Sequence, residues 1–449
     1  MQQMLQPGQT VQTQSGTPCQ VDRLLGAGGQ GEVYRVNWSG GNFALKWYYC
    51  NPSDAQQVKS LQDQRKSLEK LLGPAPSDAF LWPLDIACLP GTHNFGYLMR
   101  LREPRFRDLE DLIYNRVKPM PDFRTLATIG LALADNFHKL HCKGLCYRDI
   151  SFGNAFIDPK TGDVAICDND NVTEDKSPVC AVLGTQGFMA PEVYCGKLPS
   201  KRTDLHSLAV LLFRIFLSSH PLKGKRLLNL QLLDEEATQE LLGTKPLFIF
   251  DPSDRSNEAV DDPEAGKTAK KYWNIYPQFL KEAFTRAFTK GLHDPDNGRL
   301  VEDEWRRILS RLRDAIFYCA CGIENFYDLD AMRASGGKAG VCWSCKKQLR
   351  FPYRVRIDDT VVMLSHVGKL YPHHLDNARS KSYDFTRAVA EVVRHPTDPN
   401  IWGLKNCTTE KWVVTVPDGS LSTIEPGRSV ILQPNVKVNF GKVEGEIRY

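Results

Sequence analysis

The chain is predicted to fold as an α+β protein that ends in a small cysteine-built module and an all-β segment. Three observations carry this. Apolar and polar side chains alternate through residues 11–50 around a glycine-rich turn, which is the period of strands. Longer stretches, such as Phe123 to His141, repeat their apolar residues at helical spacing. Four cysteines, Cys319, Cys321, Cys342 and Cys345, then cluster ahead of several short alternating runs.

With 449 residues, 42% of them hydrophobic and 24% charged, the chain is long enough to bury a large core in two or three domains. A net charge of +4 is small for this length and gives no reason to expect a nucleic-acid or membrane partner. The start, MQQMLQPGQT, lacks the basic and apolar regions of a signal peptide, and no run of about 18 apolar residues occurs, so a cytoplasmic location is expected. Of the 13 cysteines, nine are scattered without pattern, which fits reduced thiols better than a disulfide framework.

In chain order, the first marked turn is Leu24-Leu25-Gly26-Ala27-Gly28-Gly29-Gln30-Gly31-Glu32-Val33-Tyr34. Gly26, Gly28 and Gly31 let backbone N–H groups approach phosphate oxygens. Because a strand follows the turn, a dinucleotide-binding fingerprint, where a helix follows, is disfavoured. The bland alternative is a flexible hairpin. Phe43-Ala44-Leu45-Lys46 gives a further strand, with a lysine able to reach phosphates where a merely solvated one is the alternative. Residues 53–72 are predicted to be helical, with Val58, Leu61, Arg65, Leu68 and Leu72 near one face, and to stop at Gly73-Pro74. Residues 96–102 form another strand.

The helix from Phe123 to His141 carries Leu126, Ile129, Leu133, Phe137 and Leu140 on one face and delivers the chain to Tyr147-Arg148-Asp149-Ile150-Ser151-Phe152-Gly153-Asn154. This loop spaces an acid and an amide as phosphoryl transfer needs them. Asp149 would accept the proton of an attacking hydroxyl and Asn154 would hold a magnesium ion on nucleotide phosphates. A turn in which both residues only satisfy backbone groups is the alternative. Asp168 ends the apolar run Val164-Ala165-Ile166-Cys167, and Ala190-Pro191-Glu192 follows. Thr203 to Leu217 is a helix apolar on nearly all sides, with Asp204 expected to cap it and to hold the loop before Asp149. Arg299 is placed to pair with Glu192, unless it is simply a surface arginine. Residues 222–275, rich in Asp, Pro and Lys, read as an irregular insertion.

The ordered series Gly26/Gly28/Gly31, Lys46, Asp149, Asn154, Asp168, Glu192, Asp204 and Arg299 resembles a eukaryotic-type protein kinase domain over the first three hundred or so residues. The resemblance implies a bilobal fold, residues 1–316, with a small lobe of about 11–102 and a large lobe of about 103–316. It implies ATP and Mg²⁺ as cofactors and serine or threonine as acceptor. Lys46, Asp149, Asn154, Asp168 and Thr185 become the catalytic set. Gly26, Gly28, Gly31, Val33, Ala44, Lys46, Arg100 and Arg102 become the nucleotide site, with the backbone near the last two pairing with adenine. Asn154 and Asp168 become magnesium ligands.

Four departures stand out. Gln64 occupies the place of the helix glutamate that pairs with the lysine, so that ion pair is expected to be absent or replaced by an amide contact, with Asp63 nearby. Asp-Phe-Gly has become Asp168-Asn169-Asp170, which puts the usual in-and-out switch of that segment in doubt. Tyr147 replaces a histidine. Ser151 replaces the lysine two residues after the catalytic aspartate, leaving one charge fewer on the transferred group and an expected low rate. Arg148 before Asp149 implies activation by phosphate on Thr173 or Ser177, unless the arginine only bonds backbone carbonyls. Thr185 is expected to contact Asp149 directly.

Residues 317–352 are laid out as a zinc ribbon, since two tight turns can each offer two thiolates of a tetrahedron; a redox or free-thiol pair is the alternative. The first pair is one residue closer than CxxC, so its turn must differ. Residues 353–449 read as a small β-sandwich from the runs at 361–364, 412–416, 429–432 and 436–440. Ile401-Trp402-Gly403-Leu404-Lys405-Asn406 and Gly441 resemble a forkhead-associated domain, although no Gly-Arg or Ser-x-x-His pocket is found. The domain order is similar to bacterial kinases of tellurium-resistance-type systems, which implies a von Willebrand A-type protein as substrate and an opposing PP2C-type phosphatase. The expectation is thus an ATP-dependent serine/threonine kinase, with autophosphorylation; the alternative is a nucleotide-binding pseudokinase scaffold, motivated by Gln64, Ser151 and Asp-Asn-Asp.

Overall fold

Alternation in the first hundred residues closes into a barrel, because each strand has one face to bury. In the computed structural model, which describes residues 3–177, 182–376 and 382–449, these are β1 (Thr10–Thr13), β2 (Cys19–Ala27), β3 (Gly31–Trp38), β4 (Gly41–Tyr48), β5 (Asp85–Cys88) and β6 (Phe95–Arg100). The hydrogen-bonded order is β1-β2-β3-β4-β6-β5, and β5 closes on β1. Val21, Tyr34, Val36, Leu45, Trp47 and Leu98 fill it. Between β4 and β5 runs α1 (Ala55–Leu71), capped by Asp54, whose carboxylate accepts from the N–H groups of Gln56 and Gln57. Its apolar stripe buries Leu61, Leu68 and Leu71.

The helical part contains α2 (Leu109–Ile113), after the short β7 (Arg107–Asp108), and α3 (Phe123–Cys142). β8 (Leu145–Cys146), β9 (Ala155–Ile157), β10 (Val164–Ile166) and β11 (Thr173–Glu174) then frame the loops that carry the chemistry. β10 pairs with β9 and β9 with β7, while β11 pairs with β8. α4 (Pro191–Tyr194) precedes α5 (Lys201–Leu217), which is buried without a break from Thr203 to Phe213. The expected cap is corrected here. Ser200 is the N-cap residue and its N–H is taken by Thr203 Oγ1 (2.9 Å), while Asp204 lies inside the first turn with its carboxylate free to reach elsewhere.

Residues 222–275 are more ordered than their composition suggests. They contain α6 (Glu235–Gln239), a π-turn over Glu240–Thr244 and α7 (Lys267–Trp273). Asn257, fully buried, accepts from the N–H groups of Gly224 and Arg226 and donates to the carbonyls of Leu222 and Leu247. One amide side chain thereby satisfies the irregular backbone that no ladder serves. α8 (Gln278–Phe288), α9 (Lys290–His293) and α10 (Glu302–Asp314) follow.

Contacts divide the chain into two compact units. The first comprises residues 1–121, 129–270 and 284–304, the second residues 122–128, 271–283 and 305–449. In the second unit, the hairpin β12 (Ile316–Tyr318) and β13 (Glu324–Phe326) and the short α11 (Leu329–Ala334) bring the four cysteines together. The ten strands after them form a sandwich: β14 (Arg354–Ile357), β15 (Thr360–Met363), β16 (Lys369–Leu370), β17 (Ala390–Arg394), β18 (Trp402–Asn406), β19 (Trp412–Thr415), β20 (Leu421–Ile424), β21 (Ser429–Ile431), β22 (Lys437–Asn439) and β23 (Glu444–Arg448). One sheet runs β15-β14-β23-β22-β19-β20 and the other β16-β17-β18-β21. Val355, Leu404, Trp412, Val414, Val438 and Ile447 lie between them. The cysteine module and the sandwich share one unit because Met363 of β15 packs with Phe317, Cys319, Cys342 and Leu349.

Candidate active site

The site is assembled in the first unit around the loop after β8. Asp204 accepts hydrogen bonds from the backbone N–H of Tyr147 and of Arg148 (2.9 Å for the latter), which fixes the loop's entry onto the buried helix α5. Arg148 adopts a left-handed φ of 72°, so the chain turns and presents Asp149. Asp149 is held from two sides. Thr185 Oγ1 donates to its Oδ1 at 2.6 Å, and Asn154 Nδ2 donates to its Oδ2 at 2.9 Å and to its carbonyl at 2.8 Å. These contacts leave Asn154 Oδ1 as the acceptor of its amide.

Asp168, two residues past β10, has a left-handed φ of 49°. Its side chain is 39% exposed and its Oδ1 lies 3.4 Å from Lys46 Nζ. Burial and the neighbouring Asp170 push its carboxyl up, against the pull of Lys46. Asp168 and Asn154 together offer the oxygen donors a hard cation takes, so they fit Mg²⁺.

Lys46 departs from the expected pattern. Its ammonium meets neither Gln64 nor Asp63 of α1. Its Nζ lies 2.9 Å from Asp170 Oδ2, 3.2 Å from Asp170 Oδ1 and 3.1 Å from Gln30 Oε1. Gln64 Nε2 donates to Asp170 Oδ2 at 3.3 Å, and Asp63 pairs with Lys66 on the surface of α1. The reason is reach and charge: a neutral amide cannot compensate a buried ammonium, whereas Asp170, two residues beyond Asp168, can. Burial disfavours the charge of Lys46, but Asp170 and Asp168 hold its ammonium above the ordinary lysine range. Asp170 also accepts from the hydroxyls of Tyr48 (2.5 Å) and Tyr97 (3.2 Å), both kept protonated by burial and by that carboxylate.

Asn169, fully buried, stands in the place of the missing phenylalanine. Its Nδ2 donates to the carbonyls of Leu81 (2.9 Å) and Ile166 (3.1 Å). β10 is bridged in parallel to Phe80, and Leu81 N–H donates to Ile166. The Asp-Asn-Asp turn is therefore tied into backbone on both sides.

The glycine-rich turn lies between β2 and β3. A side-chain carbon at Gly26 or Gly28 would meet nothing within 4 Å, whereas at Gly31 it would lie 2.1 Å from the Trp47 carbonyl. Gly31 is thus required by strand packing, and the open space belongs to the loop before it. Val33, Ala44, Met99, Leu101 and Cys167 line one apolar cluster suited to a planar base. The side chains of Arg100 and Arg102 are engaged with protein groups. Arg100 donates to the carbonyl of Phe80 at 3.3 Å, and Arg102 stacks on Phe156 (4.0 Å) and donates to the Phe106 carbonyl.

Glu192 and Arg299 form the expected pair, a two-pronged one at 2.7 and 2.8 Å, which holds the Glu192 carboxyl below its usual range against the effect of burial. Arg148 Nη2 donates to the Ser177 carbonyl at 3.0 Å. Sequence reasoning missed Gln30, Tyr48, Tyr97 and Asp170. The available signal for Asp170 was its own: a second carboxylate two residues after the first, in a chain whose α1 lacks the glutamate.

Residues 91–271 match the model of the protein kinase domain. The chain carries a protein kinase domain. The match includes Asp149, Asn154, Asp168 and Glu192, while the glycine-rich turn and Lys46 lie before it and are placed beside these residues by the fold. A probable serine/threonine-protein kinase, kinX, from Dictyostelium discoideum is 25% identical over 49% of this chain and 20% of its own. The DNA damage-responsive serine/threonine-protein kinase RqkA of Deinococcus radiodurans is 28% identical over 45% of this chain and 30% of its own. Ribosomal protein S6 kinase alpha-4 of Mus musculus is 27% identical over 60% of this chain and 35% of its own. The chain thus spans about a third or less of the length of these relatives.

In the second unit the four cysteine sulfurs lie within 4.8 Å of one another, with Cys319–Cys345 at 3.6 Å and Cys321–Cys342 at 3.8 Å. Tetrahedral zinc–thiolate bonds of about 2.3 Å require edges of about 3.8 Å, so the set fits zinc and is too wide for disulfides. The tight first turn is achieved by Gly322 at φ 83°, whose N–H donates to the Cys319 carbonyl.

Proposed function

We propose that the protein is an ATP- and magnesium-dependent protein kinase that phosphorylates serine or threonine hydroxyls, itself included. The observation that carries this is the convergence of Lys46, Asp149, Asn154 and Asp168 on one cleft. Asp149, aimed by Thr185 and Asn154, takes the proton as the acceptor oxygen attacks. Asn154 and Asp168 would hold the magnesium, which supplies charge neutralisation on the phosphates, and Lys46 orients the nucleotide. Ser151 supplies no cation, so turnover is expected to be slow. The test is incubation with Mg·ATP labelled on its γ-phosphate, alone and with a general protein substrate, followed by mass spectrometry. Phosphoserine or phosphothreonine supports the reading; thermal stabilisation by ATP with no transfer to any protein would identify a nucleotide-binding scaffold instead.

The cysteine cluster is proposed as a structural zinc site, because its four thiols converge at tetrahedral spacing. Residues 353–449 are proposed as a forkhead-associated-like module, on the strength of two packed antiparallel sheets, with no phosphopeptide pocket carried over. A von Willebrand A-type substrate and a PP2C-type phosphatase are proposed partners, resting on the domain order alone.

A further inference from the structure

Lys46 needs a counter-charge whether or not nucleotide is bound. α1 cannot supply it: Gln64, the residue of α1 that reaches this spot, is neutral, and Asp63 is engaged with Lys66. The charge comes instead from the turn after β10. Asp170, with a fully buried side chain, gathers Lys46, Tyr48, Tyr97 and Gln64 on its two oxygens. All four partners lie on β4, β6 and α1, so the carboxylate sits where the barrel and the helix meet. Asn169 fixes the position from the other direction through Leu81 and Ile166.

We propose that Asp170 is the positioning residue for Lys46 and does the work of the missing helix glutamate, so that the lysine is set by the Asp168-Asn169-Asp170 turn and not by the placement of α1. One segment then supplies both the magnesium ligand, Asp168, and the lysine anchor, Asp170. Two consequences follow. A shift of α1 that would break a lysine–glutamate pair costs this site one amide contact, that of Gln64, while the ion pair stays inside the turn and the barrel. Conversely, a displacement of the turn removes the metal ligand and the lysine anchor together, so the two are gained or lost as a unit. Tyr48 and Tyr97 donate to the two carboxylate oxygens from the barrel and hold its orientation. The inference rests on the reading of the cleft as a Mg·ATP site.

The test relocates the charge. Mg·ATP affinity by calorimetry and kcat and KM for phosphate transfer are measured for the full-length wild type, Asp170→Asn, Gln64→Glu/Asp170→Asn, Lys46→Met and Lys46→Met/Asp170→Asn. Asp170→Asn, which keeps the shape but removes the charge and replaces one acceptor oxygen with an amide donor, is expected to weaken Mg·ATP about tenfold, one lost charge contact at a bound phosphate-orienting group. Gln64→Glu/Asp170→Asn, which restores one carboxylate beside Lys46 from α1, is expected to return to within about threefold of the wild type. In the Lys46→Met background Asp170→Asn is expected to add nothing, because a residue acting through another is silent once the other is gone. A folded Asp170→Asn protein with wild-type affinity and kinetics would overturn the proposal. So would a folded double variant that is not rescued, or an undiminished effect of Asp170→Asn without Lys46. Should Asp170→Asn not fold, the charge-relocated variant decides by the same threefold limit. A wild type that binds Mg·ATP and transfers no phosphate overturns the catalytic reading alone, and the affinities still decide the role of Asp170.

Discussion

Thr185 illustrates how single contacts set the chemistry. Its hydroxyl reaches Asp149 Oδ1 at 2.6 Å from a segment 36 residues along the chain, so it orients the proposed base. Thr185→Ala removes a hydrogen bond to a carboxylate, a contact of about 1.5–3 kcal/mol, and is expected to lower kcat about tenfold or more with little change in the KM for ATP. Thr185→Ser, which keeps the hydroxyl, should retain most of the rate; steady-state kinetics at saturating ATP check both. At this scale the contact of Thr185 with Asp149 was legible, because both stand at fixed places in short motifs. The anchor of Lys46 was not. Which carboxylate meets a buried ammonium is decided by three-dimensional reach, and Asp170 and Asp63 look alike in a string of letters.

Among the elements, α3 and α5 are joined through a charged knot whose strength depends on pH. His141, at the end of α3, lies 3.0 Å from Asp204 and also bonds Glu302. Burial opposes its charge, but these two carboxylates push its pKa up to about 9. A histidine whose folded value is raised contributes stability fully below its unfolded value near 6.5 and loses it as pH rises through the folded one. Unfolding free energy should therefore fall between about pH 6.5 and 9 by on the order of 3 kcal/mol. Glu302, held low by His141 despite burial, adds a loss at acid pH. Denaturant titrations across this range check the alkaline limb, which His141→Gln should flatten. The cysteine module carries a separate prediction. One zinc per chain is expected in protein purified without chelator, falling to near zero in Cys342→Ser/Cys345→Ser, and metal analysis reads it directly.

For the whole molecule, the sequence told most about elements with strong periodicity. The helix at 53–72 appears as Ala55–Leu71 and the four predicted sandwich strands appear within a residue or two of their predicted ends. Strands such as Ala390–Arg394 and Glu444–Arg448 were missed, since their charged ends mask the alternation that burial of Val392 and Ile447 reveals. The 222–275 segment was read only as irregular, because Asn257, a polar residue, does the organising that apolar periodicity usually signals. Among the described residues no helix is long and apolar enough to cross a membrane. The central claim, that this cleft transfers phosphate, is tested most directly by comparing the wild type with Asp149→Ala and Asp168→Ala proteins of unchanged melting temperature in a single-turnover assay with labelled Mg·ATP. The account predicts incorporation into serine or threonine by the wild type and a fall to background in both variants. Equal labelling of the wild type and the folded variants would contradict it.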